Sequence, residues 1–282
     1  MYPTAARRRH RRRVHIGAWV AVFACCGPLR AGPIHSDVAL TPHKGGSIFR
    51  LQYSYSEADG RGETQQVHTS GVRGTYVFGL EQNLALILTV PYVNRQVDRV
   101  LPKLGRVEEA HDGIADFTIL AKYRFWQHDP RPLETARWAL LGGLNVRSGD
   151  SDFSSDSYDP ILGTVFTWRR DRVLLDADLI YQFNTGRDKH RHDVLRYDLA
   201  CSYRLFPALA ERVTNYEWNV VAELNGRYTA DGSHEVFLSP GLQLVTSQWV
   251  FETSIQLPVV QALAGDAPET DYRLVVGVRY QW

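Results

Sequence analysis

His68 and Ser70 are the two residues whose types and spacing could carry out catalysis. A serine hydroxyl becomes a nucleophile when a histidine removes its proton and a third polar group orients that histidine. Asn94 could supply the third group if its strand lies beside theirs. Residues two apart in a β-strand point to the same side, so the chemistry would be ester hydrolysis at one face of a sheet. The simpler interpretation, which we adopt, is that these are ordinary polar residues near strand ends.

Two polar segments carry side chains that could bind metal ions. Residues 148–159 contain four aspartates, which could hold Ca²⁺, but the segment lacks the Gly and Glu positions of an EF-hand loop. His190 and His192 could also bind a metal, but they stand among lysine and arginine. We therefore expect solvated surface loops, with no metal and no cofactor. The four aspartates are Asp150, Asp152, Asp156 and Asp159.

Sixteen charged side chains form the third candidate site, because most of them recur at alternate positions of strand-like segments. If they line a lumen, they could select solutes by size and by the electrostatic field in the lumen, as rings of side chains do in pores. Alternatively, they could pair with one another and plug a small lumen, and both interpretations remain open. They are Asp116, Lys122, Arg124, Arg147, Asp176, Asp178, Arg196, Asp198, Arg204, Glu217, Glu223, Arg227, Glu235, Glu252, Arg273 and Arg279.

The elements that would position these residues are β-strands, because hydrophobicity alternates with a period of two. Residues 270–282 show this most clearly, with an apolar face that ends in aromatic residues and a second face that is charged. Charges at every second position exclude an amphipathic helix. The strong segments are 49–55, 115–125, 173–183, 195–205, 218–228, 249–259 and 270–282, and the weaker ones are 66–80, 83–94, 134–147, 158–169 and 234–245.

The polarity of the two faces favours a membrane barrel over a soluble β-protein. A dry core could hold about sixteen charges only if nearly all were paired, whereas a water-containing lumen can hold them. Short connections also alternate with longer polar ones, such as 94–112, 148–158 and 184–193. Outer-membrane barrels have short periplasmic turns and longer external loops. The sequence therefore predicts an all-β, antiparallel transmembrane β-barrel of about twelve strands, with both termini in the periplasm.

The N-terminus has the charge pattern of an export signal. Six arginines lie between Arg7 and Arg13, and an apolar run follows over residues 16–27. That run is too short to span a bilayer, which takes about 20 residues. We predict a signal peptide at 1–31, a periplasmic N-terminal segment at 32–45 and the barrel at 46–282. Lipidation at Cys25 or Cys26 is an alternative that the bulky Phe23 disfavours.

Composition restricts the partners that the chain can have. The 32 Lys and Arg nearly balance the 31 Asp and Glu. The chain therefore lacks the strongly positive net charge that is typical of nucleic-acid-binding proteins. After cleavage only Cys201 would remain, so no intramolecular disulfide can form. We expect outer-membrane lipid and a small-molecule solute as partners, and the oligomeric state cannot be read from the sequence.

Several ordered motifs resemble a known family of outer-membrane proteins, the MetA-pathway of phenol degradation family. They are Gly79 to Tyr92 (GLEQNLALILTVPY), Gly113 to Phe125 (GIADFTILAKYRF), residues 147–150, residues 157–160 and Leu175 to Asn184 (LDADLIYQFN). The resemblance runs from about residue 45 to the end of the chain. It implies a transporter that takes up small hydrophobic or aromatic compounds. The terminal Tyr280-Gln281-Trp282 is similar to the aromatic-ended signal read by the barrel-insertion machinery, with Trp in place of the usual Phe.

Passive uptake of a small solute is therefore the predicted function, and it has two rivals. The first is a structural barrel with a plugged lumen. The second is a lipid hydrolase, because outer-membrane phospholipase A has a similar outward-facing His-x-Ser arrangement. That enzyme continues with Asn-Gly-Arg, whereas Ser70 is followed here by Gly-Val-Arg.

Overall fold

The computed structural model describes residues 32–60, 65–101, 105–131, 133–186, 191–207, 215–265 and 267–282. The predicted signal peptide, with Cys25 and Cys26, and His190 lie outside these residues. Among the described residues there is no helix long and apolar enough to cross a membrane.

Thirteen strand segments form one antiparallel sheet that closes on itself. They are β1 (Ser47–Asp59), β2 (Gln65–Glu81), β3 (Leu84–Leu101), β4 (Gly105–Ile114), β5 (Phe117–Arg131), β6 (Glu134–Val146), β7 (Asp159–Arg170), β8 (Val173–Gln182), β9 (Val194–Phe206), β10 (Tyr216–Thr229), β11 (His234–Thr246), β12 (Trp249–Ala262) and β13 (Glu269–Gln281). Each strand pairs with its neighbours in sequence, except that β4 and β5 both pair with β3 and not with each other; β1 also pairs with β13. The pairing of the first strand with the last closes the sheet into a ring, which removes the exposed edges that an open sheet would have there.

The segments β4 and β5 together form one strand of the ring. Both pair with β3, β5 along residues 84–89 and β4 along residues 92–101. The interruption between them falls at Ala115 and Asp116. The molecule is therefore a closed twelve-stranded antiparallel barrel, which confirms the predicted fold class. The polar stretch 94–112 was expected to be a loop, but most of it is the β3–β4 hairpin, because its own alternating residues complete the sheet.

The two ends of the barrel differ in their connections. We call the end with the short connections at 82–83, 171–172 and 247–248 the turn end; β1 begins and β13 finishes there. The opposite end carries the longer connections, including 147–158 and 183–193, and is called the loop end. Short and long connections alternate as the sequence predicts, except that the long connection between β9 and β10, at 207–215, lies at the turn end.

The outer surface is apolar, with aromatic rings near both ends of the strands. Phe49, Leu51 and Tyr53 on β1 are exposed, whereas Arg50 and Gln52 point inward and are partly buried. At the turn end, Trp249, Tyr280 and Trp282 stack in one patch. At the loop end, the rings of Tyr55 and Tyr272 are in contact. Two aromatic belts around an apolar band are typical of barrels that cross an outer membrane.

Residues 32–42, which we call the inner segment, occupy the inside of the barrel. The sequence predicts a periplasmic segment at 32–45, whereas in the structure the inner segment forms hydrogen bonds with the inward-facing side chains of β1, β5, β7, β8, β10 and β11. It leaves at the turn end, where Gly79 and Gly46 bond through their backbones. A Cβ atom on Gly79 would lie 2.2 Å from the carbonyl oxygen of His43, so a glycine is required at this crossing.

Candidate functional site

The lumen is the candidate site, and Glu223 on β10 is the main anchor of the inner segment within it. Its Oε1 atom accepts hydrogen bonds from the backbone N–H groups of Ile34 (2.5 Å) and His35 (3.1 Å). Its Oε2 atom accepts from the backbone N–H (2.9 Å) and the hydroxyl (2.6 Å) of Ser36. Glu223 is 1% exposed. A buried carboxylate needs such donors, because burial without partners is costly.

A second anchor, two strands away from Glu223 on β12, is built around Glu252. Arg50 and Arg279 both form ion pairs with this buried carboxylate, at 2.6 and 3.2 Å. The same two arginines donate to the segment itself, Arg50 to the carbonyl of Ile34 (2.6 Å) and Arg279 to that of Pro33 (3.3 Å). The paired charges thus present donors to backbone oxygens of the inner segment.

Lys122 on β5 forms the third anchor. Its ammonium donates to the carboxylate of Asp37 and to the carbonyl of Val38 (2.8 Å). The backbone N–H of Asp37 in turn donates to Asp178 on β8 (2.7 Å). The lysine side chain is 3% exposed, so it is neutralised within the protein. The acid that neutralises it comes from the inner segment and not from the barrel wall.

Apolar contacts complete the fit of the inner segment. Ile34 is 1% exposed and packs in a cluster with Val221 and Val275. Gly241 makes room for it, because a Cβ atom there would lie 2.5 Å from Cδ1 of Ile34. Further along, Ala39 is fully buried in a larger cluster that includes Ile161 and Val165. The middle of the lumen is therefore packed like a protein interior.

Both ends of the lumen are less filled than its middle. At the turn end, a cavity of about 860 Å³ is lined by Arg124, Arg204 and Glu217 as well as by the exit of the inner segment. At the loop end, the inward-pointing side chains of Arg73, Arg196 and Arg227 are exposed. The inner segment thus separates two solvent-accessible spaces.

Five of the remaining candidate lumen residues point into the barrel. Asp176 accepts a hydrogen bond from Thr167, Asp198 accepts from Asn225 (2.9 Å), and Arg273 donates to Gln256 (3.0 Å). Asp178 and Asp198 stand directly opposite each other on β8 and β9. Glu235 on β11 also points inward, opposite Arg227. These residues line the lumen as the alternation predicts.

Two of the sixteen charged residues form their contacts with the 147–158 loop. Asp116, at the interruption between β4 and β5, accepts hydrogen bonds from the backbone N–H groups of Ser148 (3.0 Å), Gly149 (2.9 Å) and Ser155 (2.6 Å). It anchors the 147–158 loop. Arg147 is exposed and pairs with Asp156 in the same loop. The strand breaks at both places, so the period of two no longer predicts direction.

The hydrogen bonds to Asp116 also determine its ionisation. Burial alone would raise the pKa of this carboxyl. The donors from Ser155, Ser148 and Gly149 outweigh that effect and hold its pKa at about 2, because they stabilise the charged form.

The sequence did not single out Arg50, Arg73, Gln52 or Gln243. All four point inward, and three of them contact the inner segment: Gln52 donates to the carbonyl of Ile34 (3.0 Å) and Gln243 to that of Gly32 (2.7 Å). Their inward positions follow from the same alternation. The signal that was missing is the segment 32–42 itself, whose residues show no period.

The structure places His68 and Ser70 on the outward face of β2, near the loop end, as the sequence predicts. Asn94 on β3 is directly opposite Ser70, and Gln96 is opposite His68. The Nδ1 atom of His68 is 3.3 Å from the hydroxyl of Tyr55 and 3.8 Å from the carboxylate of Glu57. Within the described part of the chain, no hydrogen bond joins His68 to Ser70 or to Asn94.

The aspartates of the 148–159 segment are used within the loop end. Asp150 accepts from the backbone N–H of Ile114 (2.7 Å), Asp152 contacts His111 (2.8 Å), and Asp159 pairs with Arg191 (2.9 Å). Among the described residues there is no group of three or more His, Cys, Asp or Glu side chains arranged to hold a metal ion.

Comparison with known proteins identifies a family and a fold. Residues 45–259 match the family described as "Putative MetA-pathway of phenol degradation". The crystal structure of the COG4313 outer membrane channel from Pseudomonas putida F1 has the same fold, with a TM-score of 0.58 and 11% identity over 91% of this chain and 98% of that one. No curated protein matches the sequence.

Two further solved structures are similar at a lower level. The β domain of the Bordetella autotransporter Brka gives a TM-score of 0.47 at 14% identity, over 85% of this chain and 100% of that one. The CymD monoaromatic hydrocarbon channel gives 0.43 at 10% identity, over 85% and 89%. Neither similarity is close enough to support an argument about this chain.

Proposed function

The chain belongs to the MetA-pathway of phenol degradation family, and from this we propose that it is an outer-membrane channel for passive entry of small solutes, aromatic compounds among them. We infer that it is exported by its N-terminal signal, that the turn end faces the periplasm and that the loop end faces the outside. The short connections at the turn end and the longer ones at the loop end support this orientation, and the apolar outer band and polar interior of a closed ring support the role.

The observation that carries the proposal is the division of the lumen by the inner segment. Exposed charged side chains at the loop end and an 860 Å³ cavity at the turn end are separated by residues 32–42 and the buried wall side chains packed against them. Hydrogen bonds, ion pairs and packing hold this segment, and no disulfide does so. Movement of the segment toward the turn end would join the two spaces without opening the ring.

The same segment also favours a second candidate, a barrel whose lumen stays plugged. Glu223, Glu252 and Lys122 all engage it, and the middle of the lumen is densely packed. The two candidates differ in one respect: a channel must populate a state in which the segment is displaced.

Liposome swelling and planar-bilayer recording distinguish the two candidates. We expect liposomes that contain the full-length protein to swell in isotonic sugars and aromatic acids faster than protein-free liposomes. A variant lacking residues 32–42 should swell faster still and show stable conductance steps. If the deletion variant, folded as judged by heat-modifiable gel mobility, conducts while the full-length protein never does, the plugged barrel is correct. If neither conducts, the channel proposal is wrong.

A further inference from the structure

We propose that Arg73, Arg196 and Arg227 form a binding site for a small organic carboxylate in the loop-end half of the lumen. This deepens the channel proposal by naming a class of solute, and it rests on that proposal only for the statement that the bound anion is also transported. The binding site itself follows from how these three cations are placed.

Arg196 and Arg227 are a like-charged pair directly opposite each other on β9 and β10. Like charges at opposed positions of an antiparallel pair destabilise a sheet. Within the described part of the chain, neither guanidinium has a hydrogen bond or an ion pair. A structural explanation would need an acid in contact with them. Glu235 stands opposite Arg227 on β11, and Asp198 lies two residues from Arg196 on the same face. Among the described residues neither acid forms an ion pair with either arginine, and Asp198 bonds to Asn225 instead.

Arg73 approaches from the opposite wall of the barrel. Its strand, β2, is six strands from β9 in either direction around the ring, and the Arg73 charge interacts with that of Arg196 across the lumen. Arg73 also lacks a hydrogen-bond or ion-pair partner among the described residues. Three cations from two facing walls thus converge on one level.

That level lies next to the inner segment, on its loop-end side. Arg73 stands opposite Gln52, which bonds to Ile34. Arg196 is two residues closer to the loop end than Asp198, whose partner Asp178 bonds to Asp37. A solute that enters from the loop end would therefore meet the arginines before it meets the inner segment.

The other cations around the inner segment have a structural role, because each of them is paired with an acid. Arg50 and Arg279 are paired with Glu252, and Lys122 is paired with Asp37. Arg73, Arg196 and Arg227 differ from these because they are exposed and have no ion-pair partner in the part of the chain that the structure describes. Asp178 and Asp198 offset part of the Arg196 charge from a distance, but three guanidinium groups retain free donors.

Guanidinium groups suit a carboxylate with an attached ring. The planar fork of N–H donors binds a carboxylate with two parallel hydrogen bonds, and its face stacks on aromatic rings. Aromatic surface is already present nearby, since Arg273 lies over the inward-facing ring of Phe237 at 5.8 Å. An aromatic acid such as benzoate would satisfy the free donors and place its ring in a lumen that contains another ring.

Calorimetric titration of the detergent-solubilised full-length protein with benzoate tests the site without requiring conduction. We expect saturable binding that weakens as ionic strength rises. Replacing Arg73 with Gln, or Arg196 and Arg227 together with Gln, should weaken it about tenfold or more, as expected for loss of charge-assisted hydrogen bonds. Arg147→Gln, which removes a loop-end arginine paired with Asp156, should leave binding unchanged.

Three results would overturn the assignment: no benzoate binding to the wild-type protein, equal binding by the folded Arg73→Gln variant, or tighter binding of inorganic phosphate than of benzoate. Heat-modifiable gel mobility establishes that each variant is folded, and Arg196→Lys with Arg227→Lys should restore part of the affinity. Benzoate binding without any solute flux would support the site and contradict the channel. Flux without benzoate binding would support the channel and contradict the binding site.

Discussion

Ser36 donates both its backbone N–H and its hydroxyl to the same carboxylate oxygen of Glu223, at 2.9 and 2.6 Å, although the two residues are 187 positions apart. The other oxygen of Glu223 accepts from Ile34 and His35. One buried acid of the barrel wall therefore organises three consecutive residues of the inner segment. This makes Glu223 the residue whose loss should most directly release the segment.

We expect Glu223→Gln to increase solute flux through the channel. Hydrogen bonds to a charged group contribute about 1.5–3 kcal/mol and neutral ones about 1 kcal/mol, so the variant should populate the displaced state about tenfold more. Swelling rates and the open fraction in single-channel records measure this change. Glu269→Gln, at the exposed start of β13, is the matched control. Unchanged open fractions in both variants would mean that Glu223 does not hold the gate.

Lowering the pH should detach the 147–158 loop from Asp116 only at very low pH. The pKa of Asp116 is held at about 2 in the folded protein and is near 3.9 in an unfolded chain. Its stabilising contribution is therefore complete above about pH 4 and is lost as the pH falls toward 2.

Pepsin cleavage within residues 147–158, followed from pH 4 to pH 2, measures this release. The wild-type loop should become susceptible only as the pH approaches 2. Asp116→Asn should be cleaved readily at pH 4 as well, because an amide cannot accept all the donors that converge on the carboxylate. Identical profiles for the two proteins would contradict the anchoring role.

Trp282 should matter for assembly more than for the finished barrel. It closes the β1–β13 seam through two backbone hydrogen bonds with Ser47, each 3.1 Å, and its ring packs on Tyr76 and Tyr280. If it is also the signal for the insertion machinery, Trp282→Ala should lower the yield of heat-modifiable barrel in cells severalfold. Refolding into detergent should be less affected.

Trp249→Ala is the control for that experiment, because Trp249 stacks in the same aromatic patch but is not terminal. Equal losses for the two variants in cells would indicate a role in the membrane belt alone.

Ser70→Ala should not alter any phospholipid hydrolysis in preparations of the protein. His68 contacts Tyr55 and Glu57, and Asn94 faces Ser70 across the strands and does not reach His68. Fatty-acid release from mixed micelles measures the activity, with Ser54→Ala, on the inward face of β1, as the control. Turnover that disappears only in Ser70→Ala would establish a hydrolase.

Alternation predicts the barrel well, because each strand must satisfy lipid on one side and a polar interior on the other. Glu223, Glu252 and Lys122 stand inside the barrel, at the positions where alternation puts inward side chains. At Asp116 the strand is interrupted, and the carboxylate is occupied by the backbone of the 147–158 loop. Alternation also cannot identify the inner segment. That segment is bound mainly through its backbone, and the backbone N–H and carbonyl groups are common to nearly all residue types.

The same feature has a consequence for how the segment can vary. Gly32, Pro33, Ile34 and Val38 are held through their carbonyls, and His35, Asp37 and Ala39 through their N–H groups. The barrel wall therefore recognises the course of the main chain more than the identities of its side chains. A proline at position 35 would remove a donor to Glu223. Sequence variation in the segment should therefore be limited by backbone shape along its whole length, and by side-chain fit mainly at Ile34, Ser36 and Asp37.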